Sequence, residues 1–374
     1  MELFKTYKLW PIEPVKANGC YVWDSEGQKY LDFYGGHAVI SIGHCHPTYV
    51  SMLENQLKKI GFYSNAVENS LQKQLAKELG DQCGYNDYYL FLCNSGAEAN
   101  ENAFKLASFH TGRKKILALG RAFHGRTSGA VAATDNPAIQ SEFNKTNNVE
   151  FTPLNDIDSV QSKLDTKEFA AVIIEGIQGV AGIFEASSEF WQATRKACDE
   201  SGTVLIADEI QSGYGRSGKF FAHQFFGIKA DIISVAKGIG NGFPMGAILI
   251  SDIFKARYGM LGTTFGGSHM ACTAALAVLK VIKDEKLIEN AAEIGAYLME
   301  NLKGNPAIKD LRGKGLMIGI ELKDEYIDLR DKLLFEKHIF TGGAAKNVIR
   351  LLPPLMIKKA EADIFLNAFN SLTK

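Results

Sequence analysis

Lys237 stands where a reactive amine is useful. It follows the apolar run 232–236 (IISVA), and glycines come at once after it in SVAKGIGNG (234–242). A lysine in partly apolar surroundings loses proton affinity, and its neutral amine can form a Schiff base with a carbonyl. Asp208 and Gln211 lie at the end of another apolar run, in ADEIQ (207–211). There a carboxylate can hold a protonated ring nitrogen and an amide can bond a ring hydroxyl, if a ligand lies at the carboxyl edge of a sheet. Ser95 and Gly96, in NSGAEANE (94–101), fall between a strand-like run and a helix-like one. A helix opening there exposes free N–H groups suited to a phosphate, and glycine lets the anion approach closely. Each segment also has a plain structural alternative. Lys237 can be a surface lysine at a turn, Asp208 a helix cap, and Ser95 a cap before a turn glycine.

Positioning such residues requires strand ends brought to one edge. Residues 88–93 (YYLFLC), 115–119 (KILAL), 170–174 (AAVII), 204–207 (VLIA), 232–236 and 247–250 (AILI) read as strands. They are continuously apolar rather than alternating, the pattern of a sheet covered by helices on both faces. Helix-like segments at 98–108 and 189–200 lie between them, so the expected class is α/β with a mostly parallel sheet. This large domain is placed at 45–255. Toward the C-terminus, 270–283 and 286–302 read as helices, and 316–322 and 348–352 as strands able to pair. Residues 19–32 read as a hairpin turned at Glu26–Gly27. A smaller α+β domain built from both chain ends, 1–44 and 256–374, is expected.

Bulk properties narrow the classes further. The chain has 374 residues, enough for a large domain plus a smaller one. A formal charge of −1 gives no electrostatic case for nucleic acid or an anionic membrane. Six scattered cysteines without a CxxC pair read as reduced thiols in a cytoplasmic protein. No stretch is long and apolar enough to span a bilayer, and the first residues carry no secretory signature. Three segments imitate other sites. GYGRSGK, from Gly213 to Lys219, fits a nucleotide-binding loop, but Phe220 stands where Ser or Thr should bind Mg²⁺. The glycines from Gly238 to Gly242 match a dinucleotide fingerprint only in part. His44-Cys45-His46 lacks the partners of a metal site and reads as a loop ended by Pro47, so no metal is expected.

Taken together and in order, nine segments resemble the class III (ω-amino acid) aminotransferases, pyridoxal-phosphate (PLP) enzymes of fold type I. They are YLDFYGGHAVISIGHCHP, NSGAEANENAFKLA, FHGRTSGA, IIEGIQGVAG, LIADEIQSGYGRSGKF, SVAKGIGNGFPMGAIL, TTFGGSHMAC, LRGKGLMIGIEL and VIRLLPPL. FHGRT, RGKGLMIGIEL and IRLLPPL are most similar to the acetylornithine and succinylornithine branch. The resemblance implies PLP held covalently on Lys237, which also shuttles the substrate proton. It implies Asp208 on the pyridine nitrogen, Gln211 on the ring hydroxyl, and Phe123 rather than His124 over one ring face. Ser95, Gly96 and Ala97 would hold the phosphate, with Thr264 reaching the phosphate of the neighbouring subunit of a homodimer. Arg126 and Arg350 would bind substrate carboxylates, whose planar geometry suits a guanidinium fork, and Thr263 would touch substrate. The implied reaction carries the ω-amine of an N2-acylornithine to 2-oxoglutarate in arginine biosynthesis.

Two departures bear on the substrate. The family's usual EPIQGE reads here as Glu175-Gly176-Ile177-Gln178-Gly179-Val180, so the second glutamate, which gates the glutamate-binding arginine, is Val180. Gly35-Gly36-His37 replaces the commoner SGIA wording. Ornithine or 4-aminobutyrate as donor, a nucleotide hydrolase using 213–219, and a non-catalytic binding module are the alternatives.

Overall fold

The computed structural model describes residues 1–373. Three strands open the chain: β1 (Pro14–Asn18), β2 (Tyr21–Asp24) and β3 (Lys29–Phe33). The hairpin between β2 and β3 turns where expected. Asp24 Oδ1 accepts from the N–H groups of Glu26 and Gln28 at 3.0 and 2.8 Å. Gly27 takes the left-handed conformation that closes the turn, with φ 85°.

The central sheet comprises β4 (Tyr89–Cys93), β5 (Lys115–Leu119), β6 (Val149–Thr152), β7 (Phe169–Glu175), β8 (Val204–Asp208), β9 (Ile232–Ala236) and β10 (Gly246–Ile250). Its order is β4-β10-β9-β8-β7-β5-β6. Only β10 runs antiparallel to its neighbours, β4 and β9. Every residue of β7 to β10 is buried. Alternate residues feed two separate cores. Val172, Ile174, Leu205, Ala207, Ile233 and Val235 join one, together with Ala275 and Leu279 of the helix His269–Asp284. Ala171, Ile173, Val204, Ile206 and Ile232 join the other, with Ala99, Ala103 and Ala107 of the helix Gly96–Thr111. Burial on both faces explains the continuous apolar runs. Truncating one of these branched side chains to alanine is worth about 2–5 kcal/mol.

The second sheet is completed by β11 (Ile308–Lys314), β12 (Met317–Leu322), β13 (Ile339–Ala344) and β14 (Val348–Leu351), in the order β1-β2-β3-β13-β14-β12-β11. Both chain ends therefore build it, joined by the parallel pair β3 and β13. The two sheets together make an α/β fold with a mostly parallel large sheet and a smaller α+β unit.

Residues 213–219 are not a nucleotide loop, which overturns that alternative. Arg216 is buried and donates to the carbonyls of Leu316 and Pro353, carrying the turn into the seam between the two sheets. Lys219 Nζ donates to the Gln224 carbonyl at 3.1 Å. The next element is the short 3-10 turn Ala222–Phe226, so no helix N-terminus faces an anion there. His44 and His46 pair with Asp32 and Glu285, each at 2.8 Å, as loop-holding side chains. No metal-binding cluster occurs among the described residues.

Candidate active site

β8 and β9 lie side by side and end together. Asp208 closes β8, and Lys237 is the first residue after β9. Next to them the chain leaves β4 and enters the helix Gly96–Thr111 through Asn94 and Ser95. These ends surround a cavity of about 370 Å³ whose walls include Ser95, Gly96, Ala97, Asp208, Gln211 and Lys237. Phe123, Arg126, Glu175 and Val180 also line it.

Lys237 takes a left-handed conformation, φ 50°, unusual for a residue with a side chain. Strain of this kind persists only where the surroundings impose it. Its amine has no ion pair among the described residues. Burial pulls its pKa below the ordinary lysine value; Asp208 and Glu175 oppose that shift, and Arg350 adds to it. A larger share of neutral, nucleophilic amine follows.

Asp208 is buried and heavily held. Oδ2 accepts from Asn100 Nδ2 at 2.8 Å and pairs with His124 Nδ1 at 2.7 Å. Oδ1 accepts from the Ile210 N–H at 3.0 Å. Asn100 and His124 are themselves buried, and Asn100 also donates to the His124 carbonyl. Phe123 and His124 both line the cavity, His124 with its Nδ1 on Asp208.

Ser95 does cap its helix. Its Oγ accepts from the Glu98 N–H at 3.2 Å, and Glu98 reaches back to the Asn94 N–H at 2.7 Å. The cap leaves the N–H groups of Gly96 and Ala97 without an intrahelical acceptor, at the cavity wall. A side chain at Gly96 would lie 2.8 Å from Ile210 Cδ1, so a larger residue here would have to displace Ile210.

Gln211 donates through Nε2 to the His37 carbonyl at 3.0 Å. Its buried Oε1 has no partner. Glu175 ends β7 and is buried; burial pushes its carboxyl up to about 7. Arg126 is exposed at the cavity, with no ion pair among the described residues. Arg350, on β14, is buried between Gly319 and Gly342 of the neighbouring strands. Its Nη1 donates to the Gly179 carbonyl at 3.0 Å and its Nε has no partner.

Arg350, Thr263 and Thr264 are not among the cavity walls of this chain. Arg350 reaches the turn that carries Val180. Thr263 Oγ1 accepts from Asn94 Nδ2 and the Gly266 N–H, at 3.2 and 3.1 Å. Thr264 is exposed. Sequence reasoning missed Asn100, the His124–Asp208 pair and the bridging position of Glu175. Asn100 is fully buried, and no local sequence signal marked it.

Residues 5–372 match the family described as aminotransferase class-III, and the chain belongs to it; the protein is an aminotransferase. Acetylornithine aminotransferase of Bacillus subtilis is 42% identical over 367 residues, covering 96% of this chain and 94% of that protein. Among solved structures, ornithine aminotransferase from Toxoplasma gondii, reported with partial occupancy of PLP at its active site, superposes with a TM-score of 0.92. It is 28% identical, over 99% of this chain and 92% of its own. Acetylornithine aminotransferase from Elizabethkingia anophelis gives 0.85 at 28% identity, over 99% and 95%.

Proposed function

We propose that this aminotransferase uses pyridoxal 5′-phosphate to move the ω-amine of an N2-acylornithine, acetyl or succinyl, to 2-oxoglutarate. The products are the semialdehyde and glutamate, and the step serves arginine biosynthesis in the cytoplasm. The observation that carries this reading is the convergence of Lys237, Asp208 and a capped helix N-terminus on one cavity. The family and the Bacillus subtilis relative supply the substrate class.

The residues fit the coenzyme. The helix end at Gly96 and Ala97, with Ser95, suits its phosphate. Asp208, fixed by Asn100 and His124, suits a protonated ring nitrogen. The unpartnered Gln211 Oε1 suits the ring hydroxyl, and Phe123 a ring face. When bound, the coenzyme supplies an electron sink for the substrate carbon that loses a proton. Lys237 would hold it covalently, and its amine, once free, would take up and return that proton. Arg126 receives the donor's α-carboxylate, and Arg350 the α-carboxylate of 2-oxoglutarate. Thr263 contacts substrate. Thr264 serves the phosphate of the partner's site in a homodimer. Residues 45–255 form the coenzyme domain, and 1–44 and 256–374 supply the smaller one with its connecting helices, of which His269–Asp284 packs on the large sheet.

A donor panel with 2-oxoglutarate tests the reading: N-acetylornithine, N-succinylornithine, ornithine and 4-aminobutyrate, scored by glutamate formed. An acylated donor is expected to give the highest kcat/KM. Ornithine ahead of both acylated donors would replace the reading with the one that the Toxoplasma gondii likeness favours. Loss of a visible absorption band on borohydride treatment tests the covalent link to Lys237.

A further inference from the structure

Glu175 is the cavity carboxylate to which the roles above assign nothing. It is buried at the end of β7, and both its oxygens are occupied. Oε1 accepts from the Phe123 N–H at 3.0 Å. Oε2 accepts from the Gly179 N–H at 3.2 Å. The Gly179 carbonyl in turn accepts from Arg350 Nη1 at 3.0 Å. One carboxylate therefore ties the loop carrying Phe123 to the turn whose carbonyl holds Arg350. The turn packs closely on Gln211, since a Cβ at Gly179 would lie 1.7 Å from Gln211 Oε1.

We infer that Glu175 is a positioning residue: it fixes the Gly179 turn that aims Arg350, and so sets the binding of the carboxylate that Arg350 receives. The inference rests on the reading that this carboxylate belongs to 2-oxoglutarate. Above about pH 7, where this carboxyl is ionised, it offers only acceptors and can serve two N–H groups at once. The isosteric amide keeps one acceptor and turns a donor toward the other N–H. That N–H loses its partner in a buried setting, where a lost partner is felt most. Asp208, His124, Lys237 and Arg350 are charged or titratable groups whose fields act with the carboxylate's. None of them donates to it.

The test separates the two half-reactions in Glu175→Gln holoenzyme by stopped-flow absorbance. The apparent Kd for 2-oxoglutarate is expected to rise about tenfold or more, and that for N-acetylornithine by less than about threefold. In the coenzyme-free protein, the amides of Gly179 and Phe123 are compared by hydrogen exchange, and at least one is expected to exchange faster than in wild type. Glu175→Asp keeps both acceptors but is one carbon shorter, and should fall between wild type and Gln. An equal rise for both substrates, or an Asp variant worse than Gln, overturns the inference. So do wild-type exchange rates at both amides. Wild-type enzyme that does not bind 2-oxoglutarate would instead sink the acceptor reading, and the exchange experiment would still decide on Glu175.

Discussion

The wall that carries Lys237, Asp208 and Ser95–Ala97 comes from the ends of neighbouring strands and one helix of a single domain. Arg350, Gly179 and the Gly35–Ala38 turn instead meet across the seam between two sheets. The first wall is held by strands buried on both faces. The second joins Arg350, on the buried strand β14, to turns through single hydrogen bonds. Gly35, Gly36, His37 and Ala38 form one left-handed turn, with φ 55°, 54°, 67° and 65°. Such a run is costly for residues with side chains and persists only under constraint. Asn241 supplies part of that constraint. Its Oδ1 accepts from the N–H groups of Ser41 and Ile42 at 2.8 and 3.1 Å, just beyond Lys237 in sequence. On the proposed roles, the bond-making groups lie on the rigid wall and the groups that choose a substrate on the adjustable one.

Breaking the rigid wall should be the most damaging change. Lys237→Ala is expected to lower turnover more than about a thousandfold, because amine and proton carrier vanish together. Folding and non-covalent coenzyme binding should survive, checked by circular dichroism and phosphate content. Retention of more than a few per cent of kcat, where a few per cent is roughly the largest residue that a lost proton carrier leaves, would remove Lys237 from its role. Asp208→Asn comes next, slowing the chemical step by about 10²–10⁴-fold, the range of a mispositioned proton. An amide cannot hold a ring proton by charge, although Asn100 and His124 would still surround it. A near-wild-type rate with coenzyme bound would reduce Asp208 to a cap for Ile210.

The adjustable wall should respond in preference rather than in rate. Val180 lines the cavity directly after Gly179 and is 45% exposed. An uncharged residue there leaves room for a donor whose acyl group carries a further carboxylate. N-succinylornithine should therefore be used at least as well as N-acetylornithine. In Val180→Glu the two carboxylates would repel; roughly 4–6 Å apart at an effective dielectric of 20, two unit charges interact by about 3–4 kcal/mol before screening. The ratio of kcat/KM for succinyl over acetyl donor should fall at least about tenfold, the part that survives solvent screening. An unchanged ratio makes Val180 an apolar wall and no more.

The rigid wall was also the legible one. Lys237, Asp208 and Gly96 each follow a short apolar run, and such runs mark strands buried on both faces. β6 escaped because VEFT at 149–152 alternates weakly at a sheet edge. Asn100 escaped because its partner, Asp208, lies 108 residues away. Nothing local distinguishes it from a solvated helix position. Arg350 was singled out by resemblance alone, since its neighbours Gly319 and Gly342 come together only when β12, β13 and β14 pair. The left-handed turn at Gly35–Ala38 has two glycines to announce it, yet His37 and Ala38 adopt the same conformation under tertiary constraint.

The smallest expected effect concerns that turn and its titration. Burial, with the fields of Arg350, Lys237 and Arg330, pushes His37 from the ordinary value near 6.5 to about 4. Its Nε2 meets Tyr34 Oη at 2.5 Å. Between those two pH values the unfolded chain carries more protons on this ring than the folded one. Stability from His37 is therefore complete above about 6.5 and is lost as pH falls toward about 4. The ring is more than a third exposed, so screening reduces the contribution to ~1 kcal/mol. Glu175 works in the opposite sense, because its carboxyl is raised and the folded state takes up its proton first as pH falls. A single stability curve would mix the two, so the informative quantity is a difference. His37→Asn tolerates the left-handed conformation and does not titrate. Urea midpoints of coenzyme-free wild type and His37→Asn, measured from about pH 4.5 to about pH 7, should converge toward the acidic end. Parallel curves across that range would show that His37 titrates normally and that the second wall holds no suppressed charge.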